Sequence, residues 1–343
     1  MKNKQPLEGI KVLELSRVLA GPWAAQLLCD LGAEVVKVES PKGDETRSWY
    51  SSEATDCISS YFRSANRGKK SIVADFSKNA DLEVVQKLAA RADVIIENFK
   101  VGSLKKFDLH YAKIKEINSN IIYCSITGFG QTGPYSNRLG YDFVIQAMGG
   151  IMDLTGEIDR DGQKPGVAYA DIFTALYSVV AIQSALLNRK ISSQNNGTYI
   201  DMSLFDTQLG VLANQAGSFL DTGISPTRMG NAHPVIVPYQ KFDAEDGPII
   251  IACGNDRQFK NLSLVLGLNL HNDSRYVDNK SRVQNREALI SGLQKTISKY
   301  TKKTLLSKLE RVSVPSGAIN NVGEALSDSQ AVYREMVRKI GSF

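Results

Sequence analysis

Several whole classes of function find little support in this sequence. Its four cysteines, Cys29, Cys57, Cys124 and Cys253, stand far apart with no Cys-x-x-Cys spacing, and there are only three histidines. Neither a zinc site nor a disulfide framework is expected, and a reducing compartment is the default. Long runs of one charge are also missing: 41 Lys and Arg against 36 Asp and Glu leave a net charge of +5 over 343 residues. Scattered basic residues argue against a nucleic-acid surface and suit anionic small ligands. No uncharged apolar stretch reaches the roughly eighteen residues of a membrane span, and Met1 to Pro6 has no apolar leader region. A soluble, cytoplasmic protein without a membrane partner is expected. Internal repeats and low-complexity tracts are absent as well.

What is present is a βα alternation. Ile10–Leu15 and Ala33–Glu39 alternate like strands, and between them Gly21-Pro22 opens a helical run that Gly32 closes. Pro in the first turn and Gly just past the end are helix punctuation, so this is a βαβ unit. Glu39 ends the second strand where a dinucleotide fold places a ribose-binding acid. The first turn, Ser16 to Pro22, has one glycine and not G-x-G-x-x-G, which disfavours NAD. Asn66-Arg67-Gly68-Lys69-Lys70 reads as a solvated turn or, less commonly, a phosphate clamp. Further strands are expected at 71–75, 92–99 and 121–126, with a glycine-rich loop from Thr127 to Pro134. The expected architecture is α/β, a Rossmann-like, mostly parallel sheet with helices on both faces.

The stretch from Pro165 to Asp171 then runs into Ile172–Leu187, sixteen residues without a charged side chain. They predict a largely buried helix with one carboxylate at its mouth. Asp171 there is an N-cap, a reactive carboxylate facing a pocket, or both. A helix is expected from about Met202 to Phe219. Gly, Pro, Ser and Asn dominate 222–238, the expected linker between a large domain (1–221) and a small α+β domain (239–325).

These residues together resemble the class III CoA-transferases, the formyl-CoA, carnitine and bile-acid CoA-transferase group that also contains the α-methylacyl-CoA racemases. The resemblance covers residues 7 to about 340. It rests on Leu7–Leu15 with Ala20-Gly21-Pro22, on Gly32–Glu39, on Asn66–Ser71, on Glu97-Asn98-Phe99 and on Thr127–Gly130, all in family order. Within the family the chain is most similar to the succinate–hydroxymethylglutarate CoA-transferase type, through Ile121–Gly128, Gln131–Pro134, Ala232-His233, Ile236–Gln240 and Val314-Pro315. The family pattern implies that Asp171 is the catalytic nucleophile. It implies a CoA surface of Val18, Leu19, Ala74, Asp75, Phe76, Ser77, Asn98, Phe99, Lys106, Arg138, Tyr141 and Asp142. Ser40 and Leu139 stand where some members carry Arg and Lys, so Lys42, Arg47 or Arg138 is expected to meet phosphate. It also implies CoA thioester as a substrate with no permanent cofactor, an interlocked homodimer, and a tail, begun by 326–343, that returns to the large domain.

The implied chemistry passes CoA from an acyl-CoA to a carboxylic acid through aspartyl anhydrides and an aspartyl thioester, in a pocket kept poor in water. Gly230–His233 would supply a lid or oxyanion donor, or is a plain surface loop. A dicarboxylic substrate leaves one carboxylate unreacted, and Arg17, Arg228 and His233 are the candidates to meet it. Bland alternatives for Arg17 are pairing with Glu39 or a CoA phosphate. Two rival functions stand beside this one. Racemisation α to a thioester needs two acid–base groups; the racemase branch has a His before the Asp of Gly140-Tyr141-Asp142, and a phenol with an ordinary pKa near 10 is a poor base. The other rival is a non-catalytic acyl-CoA-binding paralogue.

Overall fold

The computed structural model describes residues 4–50, 58–192 and 196–338; Cys57 and residues 339–343 of the expected tail lie outside them. The described residues fall into two units. The first reaches through Arg228, apart from Glu157–Asp159; those three residues and everything from Met229 on form the second.

In chain order the first unit opens with β1 (Lys11–Glu14), α1 (Ala20–Asp30), β2 (Glu34–Glu39), α2 (Ser60–Asn66) and β3 (Lys70–Val73). It continues with α3 (Asn79–Ala89), β4 (Val94–Glu97), α4 (Tyr111–Ile117) and β5 (Ile122–Thr127). Then come α5 (Asp142–Met148), α6 (Ile151–Leu154), α7 (Tyr169–Ile191), β6 (Thr198–Ser203), α8 (Leu204–Gly210) and α9 (Asn214–Thr222). The six strands pair in parallel in the order β3-β2-β1-β4-β5-β6. Parallel strands need crossovers, and the intervening helices provide them on both faces.

Side-chain alternation divides the strand residues between two cores. Val12, Val94, Ile96, Ile122 and Cys124 meet Ala24, Ala25 and Leu28 of α1 and Ala175, Val179 and Ile182 of α7. Leu13, Ile95 and Tyr123, one position out of step, meet Val85 and Ala89 of α3 and Ile114 of α4. A one-residue register slip would exchange these two sets, which fixes the register.

One expectation is corrected. The helix expected over 202–219 is instead the end of β6 followed by α8 and α9, because Ala213, at φ 47°, cannot continue a right-handed helix. One segment, α7, is by length and composition alone long and apolar enough to cross a membrane, although its uncharged run, from Ile172 to Asn188, stays short of eighteen residues. Its buried side carries Ala170, Thr174, Ala175 and Ser178 as well as Val179 and Ile182, and small side chains let it lie close to α1 as a core helix.

The second unit is a three-stranded antiparallel sheet, β7 (Tyr239–Ala244), β8 (Gly247–Ala252) and β9 (Ser316–Ala318), with helices. These are α10 (Asp256–Val265), α11 (Asn279–Gln284), α12 (Arg286–Ile297), α13 (Lys302–Arg311), α14 (Val322–Ser327) and α15 (Ser329–Tyr333). Its own core joins Phe242, Ile249 and Ile251 to Phe259, Leu293 and Leu305. The boundary at Arg228–Met229 lies inside 222–238.

Candidate active site

Strand order reverses direction of growth between β1 and β4, and in such sheets ligands collect beyond the carboxyl ends of the strands at the reversal. The loops leaving β1, β4 and β5 enclose a cavity of about 160 Å³ there, and Asp171 lines it. Each loop is held by named contacts. The Arg17 N–H donates to Asn98 Oδ1 (2.9 Å) and Asn98 Nδ2 donates back to the Arg17 carbonyl (2.7 Å), tying the β1 loop to the β4 loop. Val18 takes φ 69°, unfavourable for a β-branched residue, and its N–H donates to Asp44 Oδ2 (3.3 Å).

Asp44 is placed by a buried ionic network beneath the first turn. Lys37 Nζ lies 2.9 Å from Glu14 Oε1 and 3.0 Å from Asp44 Oδ2, and Lys69 Nζ lies 2.7 Å from Glu14 Oε2. All four side chains are almost wholly out of solvent. Burial works against the charge on Lys37, but Glu14 and Asp44 outweigh it and raise its pKa. For Lys69 burial prevails over Glu14 and brings the value down to about 8. Thus Lys69 is neither a solvated turn residue nor a phosphate clamp. Its neighbours Arg67 and Lys70 pair with Asp30 and Glu34.

The β5 loop is fixed by two glycines. A Cβ on Gly128 would stand 2.6 Å from the Gly140 Cα, and one on Gly140 would stand 2.7 Å from the Gly128 Cα. Only bare backbone allows that crossing, which delivers Tyr141 and Asp142 to the start of α5. Asp142 Oδ1 then accepts from the N–H groups of Ala170 (2.8 Å) and Asp171 (3.2 Å), while Oδ2 accepts from Gln146 Nε2 (2.7 Å).

The N-cap reading of Asp171 is therefore overturned. Helix α7 starts at Tyr169, its cap position is Ala168, and Asp142 satisfies the first-turn donors from another element. The Asp171 carboxylate is left without a side-chain hydrogen bond among the described residues. Burial, and secondarily the Asp142 charge, push its pKa up to about 7. A carboxylate so placed has little solvation or bonding to give up, the environment that suits a reactive oxygen.

Of the other residues expected here, Arg17, Val18, Leu19, Asn98, Phe99, Arg138 and Tyr141 line the same cavity. Ala74, Asp75, Phe76, Ser77 and Lys106 do not. Asp75 accepts from the Ser77 N–H and hydroxyl in a tight turn, and Ala74 is buried. Phe76 packs on Phe99 and Phe107 (ring centres 6.2 and 5.4 Å), and the Lys106 ammonium lies 4.6 Å from the Phe107 ring centre. They form a patch joined to the cavity through Phe99. A neighbouring cavity, lined by Glu39, Ser40 and Lys42, shares Arg17, Glu45, Phe99 and Lys100 with the first.

Arg47 is unavailable for phosphate: it holds Glu39 with two 2.7 Å hydrogen bonds and stacks 3.8 Å over Phe62. Burial alone would raise the Glu39 pKa, yet the bonds from Arg47, Ser71 and the Asp44 N–H bring it down to about 2. Glu39 is thus neither a ribose ligand nor the partner of Arg17, which pairs with Glu45. Arg228 closes on Asp153, 2.7 Å from its carboxylate and 2.8 Å from its carbonyl. His233 belongs to the second unit, where its Nδ1 accepts from the Val235 N–H (3.2 Å) and its ring packs on Tyr239.

Three features escaped the sequence reading. The Glu14–Lys37–Lys69–Asp44 network had a signal, a charge at a core-facing position of each of two apolar strands. Tyr61 on α2 had none; its hydroxyl is pushed up to about 12 by burial, then by Asp171, Asp142 and Asp44. Glu97 is buried at the end of β4, bonded to Ser125 and the Phe99 N–H, and burial lifts it to about 7 despite them.

Comparison with known proteins gives a consistent picture. The model of CoA-transferase family III matches residues 7–342. A succinate–glutarate CoA-transferase of Agrobacterium fabrum is 46% identical over 339 residues, 97% of this chain and 84% of that protein. A succinyl-CoA:glutarate CoA-transferase of Homo sapiens is 41% identical over 342 residues, 99% of this chain and 77% of that protein. The crystal structure of a CAIB/BAIF family protein from Brucella suis superposes with a TM-score of 0.87 at 54% identity, covering 97% of this chain and 89% of that one.

Proposed function

This chain belongs to CoA-transferase family III, and from that premise we propose that it moves CoA between C4 to C6 dicarboxylic acids, with succinyl-CoA or glutaryl-CoA as donor and Asp171 as nucleophile. The observation that carries the reading is the Asp171 carboxylate, uncapped and without a side-chain hydrogen bond at the mouth of α7, lining the cavity at the carboxyl edge of the sheet. A carboxylate oxygen attacks the donor thioester carbon, the C–S bond breaks, and CoA leaves as thiolate with a mixed anhydride behind it. The thiolate attacks the Asp171 carbonyl of that anhydride, releasing the donor acid as carboxylate and leaving an aspartyl-CoA thioester. The acceptor carboxylate attacks the same carbonyl and frees the thiolate, which takes the acceptor acyl group and restores Asp171. No proton has to move, so no general base is needed. Exclusion of water protects both anhydrides.

Val18, Leu19, Asn98, Phe99, Arg138 and Tyr141 line the route of the pantetheine and phosphates in this reading, with the Ala74–Ser77 turn and Lys106 beyond Phe99. Arg17, exposed at the cavity and held only by a single 3.3 Å contact with Glu45, can make a two-pronged contact with the remote carboxylate. Arg228 and His233, the other candidates for this task, are engaged elsewhere, by Asp153 and by the Val235 N–H. The reading extends to a cytoplasmic homodimer. Cys29, Cys124 and Cys253 are unpaired, as suits a reducing compartment. Leu176, Tyr177 and Val180 of α7 and Phe143 and Val144 of α5 are exposed, an apolar face that a second copy would cover.

The test is an acyl-CoA and acid panel with products identified by mass, together with hydroxylamine trapping of an adduct on the Asp171 peptide. Preference for formate, acetate or a carnitine acid over succinate and glutarate would remove the dicarboxylate assignment. Rapid deuterium exchange at the α-carbon of a 2-methylacyl-CoA would favour the racemase instead.

A further inference from the structure

Arg17 and Glu45 both line the cavity that holds Asp171, and they face each other: Arg17 Nη1 lies 3.3 Å from Glu45 Oε2, with side chains 60% and 39% exposed. Both are anchored at the base. The Arg17 backbone is clamped in both directions by the Asn98 side chain. Glu45 opens a short 3-10 turn, Glu45–Ser48, whose cap is Asp44, with Oδ1 accepting from the Thr46 N–H at 3.0 Å. Asp44 in turn is held by Lys37 at 3.0 Å. The chain therefore fixes where the two side chains start and leaves only their charged ends free.

The contact itself is loose. It is single, long and exposed, and such pairs contribute little. The Arg47–Glu39 pair nearby is its opposite, two-pronged at 2.7 Å with the carboxylate 3% exposed. A carboxylate arriving at Arg17 can make the two-pronged contact that Glu45 does not.

We propose that Glu45 is a resident stand-in for the substrate's remote carboxylate: it occupies Arg17 while the acid site is empty, a dicarboxylic acid displaces it, and this exchange sets the preference between diacids and monoacids. The inference rests on the reading of Arg17 given above. A monoacid leaves the Arg17–Glu45 pair closed and gains nothing from either residue. A diacid must open the pair and bring its own charge beside Glu45, so Glu45 lowers the affinity for the very class that Arg17 attracts.

The experiment compares Glu45→Gln, Arg17→Ala and the double variant of the full chain. It measures KM for a five-carbon diacid and for the five-carbon monoacid, with calorimetric dissociation constants of the free acids as a readout independent of turnover. Glu45→Gln is expected to raise the monoacid-to-diacid KM ratio about two- to five-fold, the amount an exposed ion pair supplies. In the Arg17→Ala background the same change should leave the ratio where it was. A ratio unmoved by Glu45→Gln overturns the proposal. So does an equal movement in both backgrounds, which would reveal general repulsion of a dianion in place of displacement. If Arg17→Ala by itself fails to raise the diacid KM, the role assigned to Arg17 falls first, and the inference with it.

Discussion

Two groups of acids meet at the same sheet edge and are treated in opposite ways. Beneath the first turn, Glu14 and Asp44 are buried with Lys37 and Lys69, and every charge has an opposite charge within 3.0 Å. At the mouth of α7, Asp142 and Asp171 share one small region with no cation paired to either among the described residues. Compensated charge there holds a strained turn in place. Uncompensated charge, left facing a cavity, is what a nucleophile needs, and the fold bears its cost.

The sharpest way to break this contrast is to remove the uncompensated acid. Asp171→Ala is expected to reduce transferase turnover by about 10⁴-fold or more, as loss of a covalent nucleophile does, with the fold retained. Full turnover in that variant would end the assignment. On the compensated side, Lys37→Met leaves Glu14 and Asp44 short of a cation in the interior. It is expected to cost about 3–5 kcal/mol in urea unfolding. A loss under about 1 kcal/mol would show that the network does not hold the turn.

A third prediction sets the two groups against each other through pH. Between about pH 4 and pH 7 the folded Asp171 keeps a proton that the unfolded chain has released, so stability falls as pH rises through that window. Asp171→Asn removes the cost. Its unfolding free energy should exceed that of the native chain by an amount that grows from pH 4 to pH 7 and then levels, about 2–4 kcal/mol at the plateau, read as a pH-dependent gain in melting temperature. Catalysis has the opposite slope, because the ionised form attacks, and the acid limb of kcat/KM should have its midpoint near 7. The smallest effect concerns Asp142. Asparagine retains an oxygen to accept from Ala170 and Asp171 while dropping the charge. Asp142→Asn should lower that midpoint by less than about one pH unit, since burial is the larger cause and the Asp142 charge the smaller. An unmoved midpoint would assign the whole rise to burial.

Much of the sheet was legible because parallel strands buried on both faces read as apolar runs, and 94–97 and 122–127 do so without ambiguity. The break after Gly210 was not, since it depends on one positive φ at Ala213 that an alanine side chain does not advertise. At the site, the uncharged run after Asp171 pointed to a carboxylate at a helix mouth. Nothing in the spacing indicated that the cap would come from Asp142, 29 residues earlier, because capping across elements is a tertiary fact. Arg47 looked like a phosphate ligand and Lys69 like part of a solvated turn on sequence, because local pattern shows a cation but not the carboxylate that the fold brings to it.

The crossing of Gly128 and Gly140 bears on how such an enzyme could be given new substrates. Each glycine excludes a side chain at the other, so neither position can vary singly, and the loop between them is pinned at both ends. Variation is then directed to the interior of that loop, where Arg138 and Leu139 are exposed and already line the cavity. A library built on those two positions would alter what the cavity admits while leaving the approach of Tyr141 and Asp142 to Asp171 untouched.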